Sequence, residues 1–367
     1  MCAGPLLLFL PFVPFARARA REARMWYTVT RAVVRAQLIF SGPHGPYRIP
    51  ERVVRHAENG ETKLMAKEVI EQEDGFSDDE LVIRKKKAPE MRQGVTEAGV
   101  LKAAAEALEA FRARGPLVQC MTNTITSGFV ANALLALGAT SAVVEDLGEA
   151  SQFITAADSL LVNVGTATKP QADAMRAAVS HANMGGRPWV LDPAGVGTLP
   201  LRTFTARELM RRFPAIIRGN AAEISFLVNN EVPGRAATLA SDDVVQAARR
   251  LSGVTRAAVL VSGEHDCVAA EGVPLVTVLN GSPLVRRVVG VGCVQGAVAA
   301  AFLGVLGAKA RWEGALAAAL AVSLAGEFAA AKAGGPGSFA PAFLDALYAL
   351  KPGDVLKSGK VKLVPVA

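Results

Sequence analysis

From residue 95 onward, short apolar runs alternate with helical stretches, and no other feature limits the possible folds so tightly. The apolar runs are Leu117–Met121, Ala142–Glu145, Leu160–Val164, Trp189–Leu191, Ala215–Arg218 and Ala258–Ser262. Helical patterns separate them, among them Thr96–Arg112, Ser127–Leu137, Gln171–Asn183, Thr205–Phe213, Ala221–Val228 and Asp242–Leu251. Near-continuous apolar strands with helices between them predict an α/β fold, a mainly parallel sheet covered by helices on both faces. Asp266–Ala270 and Leu275–Leu279 are expected to form a hairpin at the sheet edge. Alanine-rich helices at Val294–Leu306, Trp312–Ala331 and Ala340–Leu350 then close the domain. With 51% apolar residues the chain can bury a sizeable core. The boundaries expected are an extension over 1–93, mostly disordered or loosely structured, a single catalytic domain over 94–352 and a peripheral tail over 353–367.

Composition removes several classes of function. The net charge is +7, but the only dense basic run is Arg84-Lys85-Lys86-Lys87, and aromatics make up 6% of the chain. That is a solvated basic face without stacking platforms, so no nucleic-acid partner is expected. Cys2, Cys120, Cys267 and Cys293 are too few and too dispersed for a disulfide framework, and no CxxC or HExxH occurs. Free thiols point to a reducing compartment, here the cytoplasm. The apolar run Pro5–Phe15 is too short to cross a bilayer, so no membrane partner is expected. Arginines follow that run rather than precede it, and an organelle address in the first forty residues stays open.

In sheets of this kind ligands sit at the carboxyl ends of the strands. Polar groups gather there in succession: Asn123, then Asn163-Val164-Gly165-Thr166, Asp192-Pro193, Arg218-Gly219-Asn220 and Ser262-Gly263. Later comes Val289-Gly290-Val291-Gly292-Cys293, a glycine turn running into a small-residue helix. The first N–H groups of a helix lack internal partners, so Gly290, Val291, Gly292 and Cys293 form a candidate anion hole. The turn reads GxGxxxG rather than GxGxxG, and no GxxxxGK[ST] loop occurs, which argues against a dinucleotide dehydrogenase. Asp192 and Glu223 are the acidic candidates for a metal-bound phosphate. Glu223 could equally be a first-turn acid, and Asp192 a turn residue. Arg218, ending an apolar strand, needs an anionic partner, either a nucleotide phosphate or a carboxylate. Cys120 and Cys267 read as small core residues.

Taken together, these segments resemble hydroxyethylthiazole kinases of the ribokinase-like superfamily. The resemblance runs from about Leu101 to Leu350. It is carried by Pro116-Leu117-Val118 to Thr122-Asn123, Val130-Ala131-Asn132, Leu134 to Ala139 and Asn163 to Thr166. Leu191-Asp192-Pro193, Ile217 to Ile224, Asn280-Gly281, Gly290 to Cys293 and Gly335 to Phe339 complete it. It implies transfer of the ATP γ-phosphoryl group to the primary alcohol of 4-methyl-5-(2-hydroxyethyl)thiazole, a thiamine-salvage step. It also implies Mg²⁺ and a homotrimer with active sites between subunits.

By the same resemblance Asn123, Val143 and Gly290 lie by the thiazole, and Arg218 and Ser262 meet ATP. Asp192 and Glu223 belong to the magnesium region, directly or through water. Cys293 stands where related sugar kinases carry an aspartate base. The chain departs from the family in Val143, usually methionine, and in Gln119, usually histidine. It also departs in Val289 and Val291, where the family has hydroxyl-bearing or small residues. Cys293 is expected to act as a modest base, its thiolate favoured by the helix start. The turn, Arg218 and Mg²⁺ are expected to contribute more. Another small-alcohol kinase, an ATP- or ADP-dependent NAD(P)H-hydrate dehydratase of the same fold, and a non-catalytic thiazole or nucleotide binder stay open as alternatives.

Overall fold

The computed structural model describes residues 90–229 and 241–364. The expected N-terminal extension lies, up to residue 89, outside the described residues. Arg92, placed in that extension, already belongs to the folded body. It pairs with Glu313 at 2.7 Å and lies over the Trp312 ring.

The elements follow in chain order. Helix α1 (Glu97–Arg114) is followed by β1 (Leu117–Met121), α2 (Ser127–Leu137), β2 (Thr140–Val143) and α3 (Leu147–Phe153). Then come β3 (Ser159–Asn163), α4 (Lys169–Met184), β4 (Trp189–Asp192), α5 (Pro200–Met210), β5 (Ile216–Asn220) and α6 (Ala221–Asn229). Helix α7 (Ser241–Thr255), β6 (Ala258–Ser262), β7 (Asp266–Ala269), β8 (Leu275–Val278), α8 (Val291–Leu306), α9 (Arg311–Ala330) and α10 (Pro336–Ala349) follow, and of these elements the short helix α3 was not expected from the sequence.

Local chemistry sets several boundaries. Thr96 caps α1 by accepting the Gly99 N–H at 3.0 Å. The helix ends at Gly115, whose φ of 58° an L-residue adopts only at a cost. Thr168 and Gln171 form a reciprocal capping box on α4.

The sheet has the order β2-β1-β3-β4-β5-β6-β7-β8-β9, where β9 spans Val361–Val364. Strands β1 to β6 are parallel, and the pairings β6–β7, β7–β8 and β8–β9 are antiparallel. Alternation along the strands divides the interior in two. Val118, Cys120, Leu161, Val190, Ile216 and Leu260 pack in a core with α1, α2, α8, α9 and α10. Met121, Leu160, Val162, Leu191, Ile217 and Val259 pack in the other, with α3 to α7. Helices therefore cover both faces, as the apolar strands predict.

Two expectations are corrected. Residues beyond Pro352, expected as a peripheral tail, form a further helix, α11 (Pro352–Ser358), and the strand β9. Strand β9 pairs with β8, so the β7–β8 hairpin is not the sheet edge. Short length and mixed polarity hid this strand. It is held by hydrogen bonds from the Lys360 N–H to Asn280 at 2.7 Å and from the Lys360 ammonium to Glu327 at 2.9 Å.

Among the described residues, one stretch, Ala308–Ala330, is long and apolar enough to cross a bilayer, yet 78% of its most apolar window is buried inside this protein. Helix α9 is a core helix. Its alanines let α8 and α10 approach closely, a role that small side chains serve in any tightly packed layer.

Candidate active site

The β-strand ends and the start of α8 build one polar cluster. Gly290 caps α8 with φ 104°, and the first helical bond runs from the Val294 N–H to the Gly290 carbonyl at 2.9 Å. The N–H groups of Val291, Gly292 and Cys293 precede that bond, and no side chain caps the helix. The helix thus starts at Val291, three residues before the expected Val294, because Gly290 alone supplies the left-handed cap.

Both neighbouring glycines are held by contact. A Cβ on Gly290 would lie 3.0 Å from Phe129 Cδ1, and one on Gly292 would lie 3.1 Å from Arg218 Nη2. Gly296, one turn further, lets α8 pass close to Asp192, where a Cβ would stand 3.4 Å from Oδ2. The turn is a fixed piece of backbone lying against Arg218 and Asp192.

Arg218, expected to end its strand, is the third residue of β5, which runs on to Asn220, and is 8% exposed. Its Nη1 donates to Asp192 Oδ2 at 3.4 Å, its Nη2 to Ser262 Oγ at 2.7 Å and its Nε to Gln295 Oε1 at 3.1 Å. The anionic partner that the sequence demanded is therefore Asp192, at the end of β4.

Asp192 is fully buried, and its Oδ1 has no hydrogen-bond partner. Burial raises its pKa to about 7, the Arg218 charge and the Asn163 amide oppose that rise, and the Glu223 charge adds to it. An orphaned, buried carboxylate oxygen is costly unless a cation or a proton meets it.

Glu223 behaves differently. Its Oε2 accepts the Asn220 N–H at 2.9 Å while its own N–H donates to Asn220 Oδ1 at 2.9 Å, a reciprocal cap on α6. Its Oε1 accepts the Gly195 N–H at 3.0 Å. Both carboxylate oxygens accept from backbone N–H groups, so Glu223 serves α6 as a first-turn acid. Any share of Glu223 in holding a cation would run through water.

Among the described residues, no cluster of three or more acidic, histidine or cysteine side chains could hold a metal by itself. The donor set still suits magnesium, which takes one or two carboxylates and completes its shell with water and substrate phosphates. Asp192 Oδ1 is the free donor it requires.

Cys293 is half-buried, and Asn163 Nδ2 donates to its sulfur at 3.5 Å. Asn163 is oriented in turn, since its Oδ1 accepts the Gly165 N–H at 2.8 Å. The expected stabilisation of the thiolate is corrected. Burial and the nearby Asp192 charge push the Cys293 pKa up, against the smaller opposing effects of Thr126, Arg218 and Asn163. Cys293 lies in the first turn of α8, but desolvation and the nearby Asp192 carboxylate outweigh what the helix start offers an anion. Cys120 and Cys267 are buried, with pKa values pushed up to about 12 by burial, as core residues should be.

The remaining candidates sit around this centre. A Cβ on Gly165 would lie 2.7 Å from Asn123 Nδ2 and 2.8 Å from Asn163 Oδ1, so Asn123 joins the cluster beside the β3 turn. Val143 stands further out, at the end of β2 in register with Cys120, and is 47% exposed. Gln119 is buried and donates to the carbonyls of Ala150 at 3.0 Å and Val144 at 3.4 Å. Its Nε2 thus ties β1 to the segment after Val143, while its buried Oε1 has no hydrogen-bond partner. Val289 is 72% exposed.

Residues that the sequence reasoning passed over also belong here. Gln295 Nε2 donates to Asp266 Oδ2 at 2.6 Å, and Ser323 Oγ donates to the same oxygen at 3.1 Å. Gln295 could have been found as the lone polar side chain within an otherwise apolar α8. Asp266, opening a strand directly after a turn, gave no such signal.

Comparison with known proteins fits this geometry. The model of the family described as "HK: Hydroxyethylthiazole kinase family" matches residues 108–353. The hydroxyethylthiazole kinase of Klebsiella pneumoniae strain 342 is 48% identical over 239 residues, 65% of this chain and 91% of that protein. That of Tolumonas auensis is 45% identical over 245 residues, 66% of this chain and 91% of the relative. Among solved structures, the hydroxyethylthiazole kinase protein from Pyrococcus horikoshii OT3 superposes with a TM-score of 0.66 at 32% identity. It covers 72% of this chain and 100% of its own. With the family pattern matched across two thirds of its length and the turn, Asp192 and Arg218 assembled at the strand ends, the chain belongs to the hydroxyethylthiazole kinase family.

Proposed function

We propose that this protein transfers the γ-phosphoryl group of ATP to the primary alcohol of 4-methyl-5-(2-hydroxyethyl)thiazole. One observation carries the reading. The unpaired N–H groups at the start of α8, the Arg218 guanidinium and the orphaned Asp192 oxygen converge at the carboxyl ends of β4, β5 and β6. That is an anion-stabilising corner with one donor left for a cation, the combination that phosphoryl transfer uses.

In this reading Gly290, Val291, Gly292 and Cys293 bind the transferring phosphoryl oxygens through backbone N–H groups. Arg218 and Ser262 face the nucleotide, and Asn123, Gly290 and Val143 bound the thiazole. Asp192 through Oδ1, and Glu223 through water, would hold Mg²⁺, which when bound neutralises phosphate charge. The alcohol oxygen forms the new P–O bond, the bond to the ADP oxygen breaks, and the hydroxyl proton passes to the minor thiolate form of Cys293, which becomes the thiol. In a loose transition state that proton leaves late, so a weak base suffices. Asn163 holds the sulfur in place for it. Because Cys293 is predominantly thiol at neutral pH, its contribution is modest and charge stabilisation by the turn carries more.

A homotrimer with sites between subunits belongs to the same proposal. It would cover apolar surface near the alcohol side, where Ile125 is 76% and Val143 47% exposed. A cytoplasmic setting, and a working domain that begins after the N-terminal extension, are part of it too. The test is ADP release by the full-length protein with hydroxyethylthiazole, hydroxymethylpyrimidine and small sugars in parallel. Turnover is expected with the thiazole and not with the others. Equal or greater turnover with another alcohol refutes the acceptor, and saturable ATP binding without ADP release refutes the kinase.

A further inference from the structure

Arg218 is charged and almost buried, so something must fix the plane of its guanidinium. Asp192 meets one nitrogen at 3.4 Å, a long contact that cannot do this alone. The Nε edge is held instead by Gln295, which accepts at 3.1 Å through Oε1. An amide has one accepting and one donating end, so with Oε1 committed to Arg218, Nε2 needs an acceptor. Asp266 supplies it at 2.6 Å.

Gln295 and Asp266 are 3% and 8% exposed, and water does not substitute readily at such sites. Asp266 also reaches the other side of the guanidinium. Its Oδ1 accepts the Gly263 N–H at 3.1 Å, which pins the turn after Ser262, and Ser262 Oγ accepts from Arg218 Nη2 at 2.7 Å. Gln295 lies one turn along α8 from Gly292, whose missing Cβ makes room for the same guanidinium.

We infer that Gln295 and Asp266 are positioning residues for the nucleotide, holding Arg218 in the plane that meets the phosphates beside Gly292. Asp266 directs the Gln295 amide, Gln295 directs Arg218, and the Gly263 turn keeps Ser262 in register with both. The inference rests on the reading of Arg218 as an ATP-facing group. It adds a chain of hydrogen bonds from β7 and α9 to a phosphate site on α8, through side chains that touch no substrate.

Gln295→Met keeps the volume and removes both ends of the amide. In the full-length protein with Mg²⁺, calorimetric titration with ATP is expected to show the Kd rising about tenfold, the usual effect of losing a hydrogen bond to a charged group. The KM for the alcohol should stay within about twofold.

The decisive arm is the double variant. Acting through Arg218, Gln295→Met should weaken ATP binding no further once Arg218→Ala is present. An unchanged Kd in Gln295→Met, or an equal loss with and without Arg218, overturns the inference. If Gln295→Met does not fold, Gln295→Asn withdraws the amide by one methylene and gives the same comparison. Parent protein that binds ATP but phosphorylates none of the alcohols would sink the functional reading while the binding arms still decide this one. Parent protein that binds no ATP would sink both.

Discussion

Replacing Gly290 with alanine puts the turn under a load that can be worked from its surroundings. The residue has φ 104°, beyond the left-handed region that L-residues tolerate, so an added Cβ costs ~1–3 kcal/mol in backbone strain. The same Cβ would stand 3.0 Å from Phe129 Cδ1, inside normal contact, and 3.4 Å from Thr126 Cβ, at the near edge of ordinary contact. Phe129 cannot easily retreat, because it stacks on Phe343 with centroids 6.2 Å apart. Strain and crowding together reach roughly 2–4 kcal/mol.

In a domain of this size that corresponds to a fall in Tm of roughly 5–15 °C. If the turn instead relaxes to relieve the load, the N–H groups of Val291 and Gly292 lose their aim and kcat falls by more than about tenfold. Differential scanning calorimetry and steady-state kinetics on the same preparation separate the two responses. Adding Phe129→Leu should recover only the crowding share, leaving the strain. Parent-like Tm together with parent-like kcat in Gly290→Ala would refute the claim that this backbone is both strained and functional.

Other outcomes follow from the neighbouring side chains. Burial raises the Asp192 pKa to about 7 from an unfolded value near 4, so ionising it costs native stability. That cost is absent below pH ~4, grows as pH rises and is complete above pH ~7. Nucleotide-free Asp192→Asn should therefore gain stability relative to the parent between pH 5 and about 7.5, and a Tm difference that is flat or moves the other way would contradict this. Val143→Met should lower the alcohol KM about two- to fivefold by adding apolar contact, at about 0.8 kcal/mol per buried methylene. The KM for ATP should not move, and a shift in it would mean that Val143 lies on the nucleotide side.

Much of the fold is legible in the chain because parallel strands buried on both faces leave continuous apolar runs. Leu117–Met121 and Ala258–Ser262 are strands with the boundaries that their apolar character dictates. Helix ends were legible where glycine marks them, as at Gly138, which caps α2 in the left-handed region. Strand β9 was not. It has four residues, lies at an edge, and depends on Asn280 and Glu327 from distant segments.

At the site, residue types at strand ends pointed to Arg218, Asp192 and Ser262, since a charge in such a place needs a partner. Their pairing with one another, rather than with a ligand, is a property of the packed state. Glu223 shows the limit in another way, because a carboxylate three residues after Asn220 reads equally as cap and as ligand. Its engagement by two backbone N–H groups is a matter of geometry. The sign of the Cys293 shift likewise depended on burial and on Asp192, neither of which is a neighbour in sequence.

In the proposed mechanism catalysis rests chiefly on the backbone of the Gly290–Cys293 turn with Arg218, and Cys293 has a minor share as base. The most direct test is kcat for Cys293→Ala with saturating ATP, Mg²⁺ and hydroxyethylthiazole at neutral pH. We predict a loss of about ten- to a hundredfold, at or below the usual range for general-base assistance, with the KM for ATP within about twofold of the parent. An unchanged kcat would reduce Cys293 to a packing residue, and a loss beyond about 10⁴-fold would make the thiol, not the turn, the centre of the chemistry.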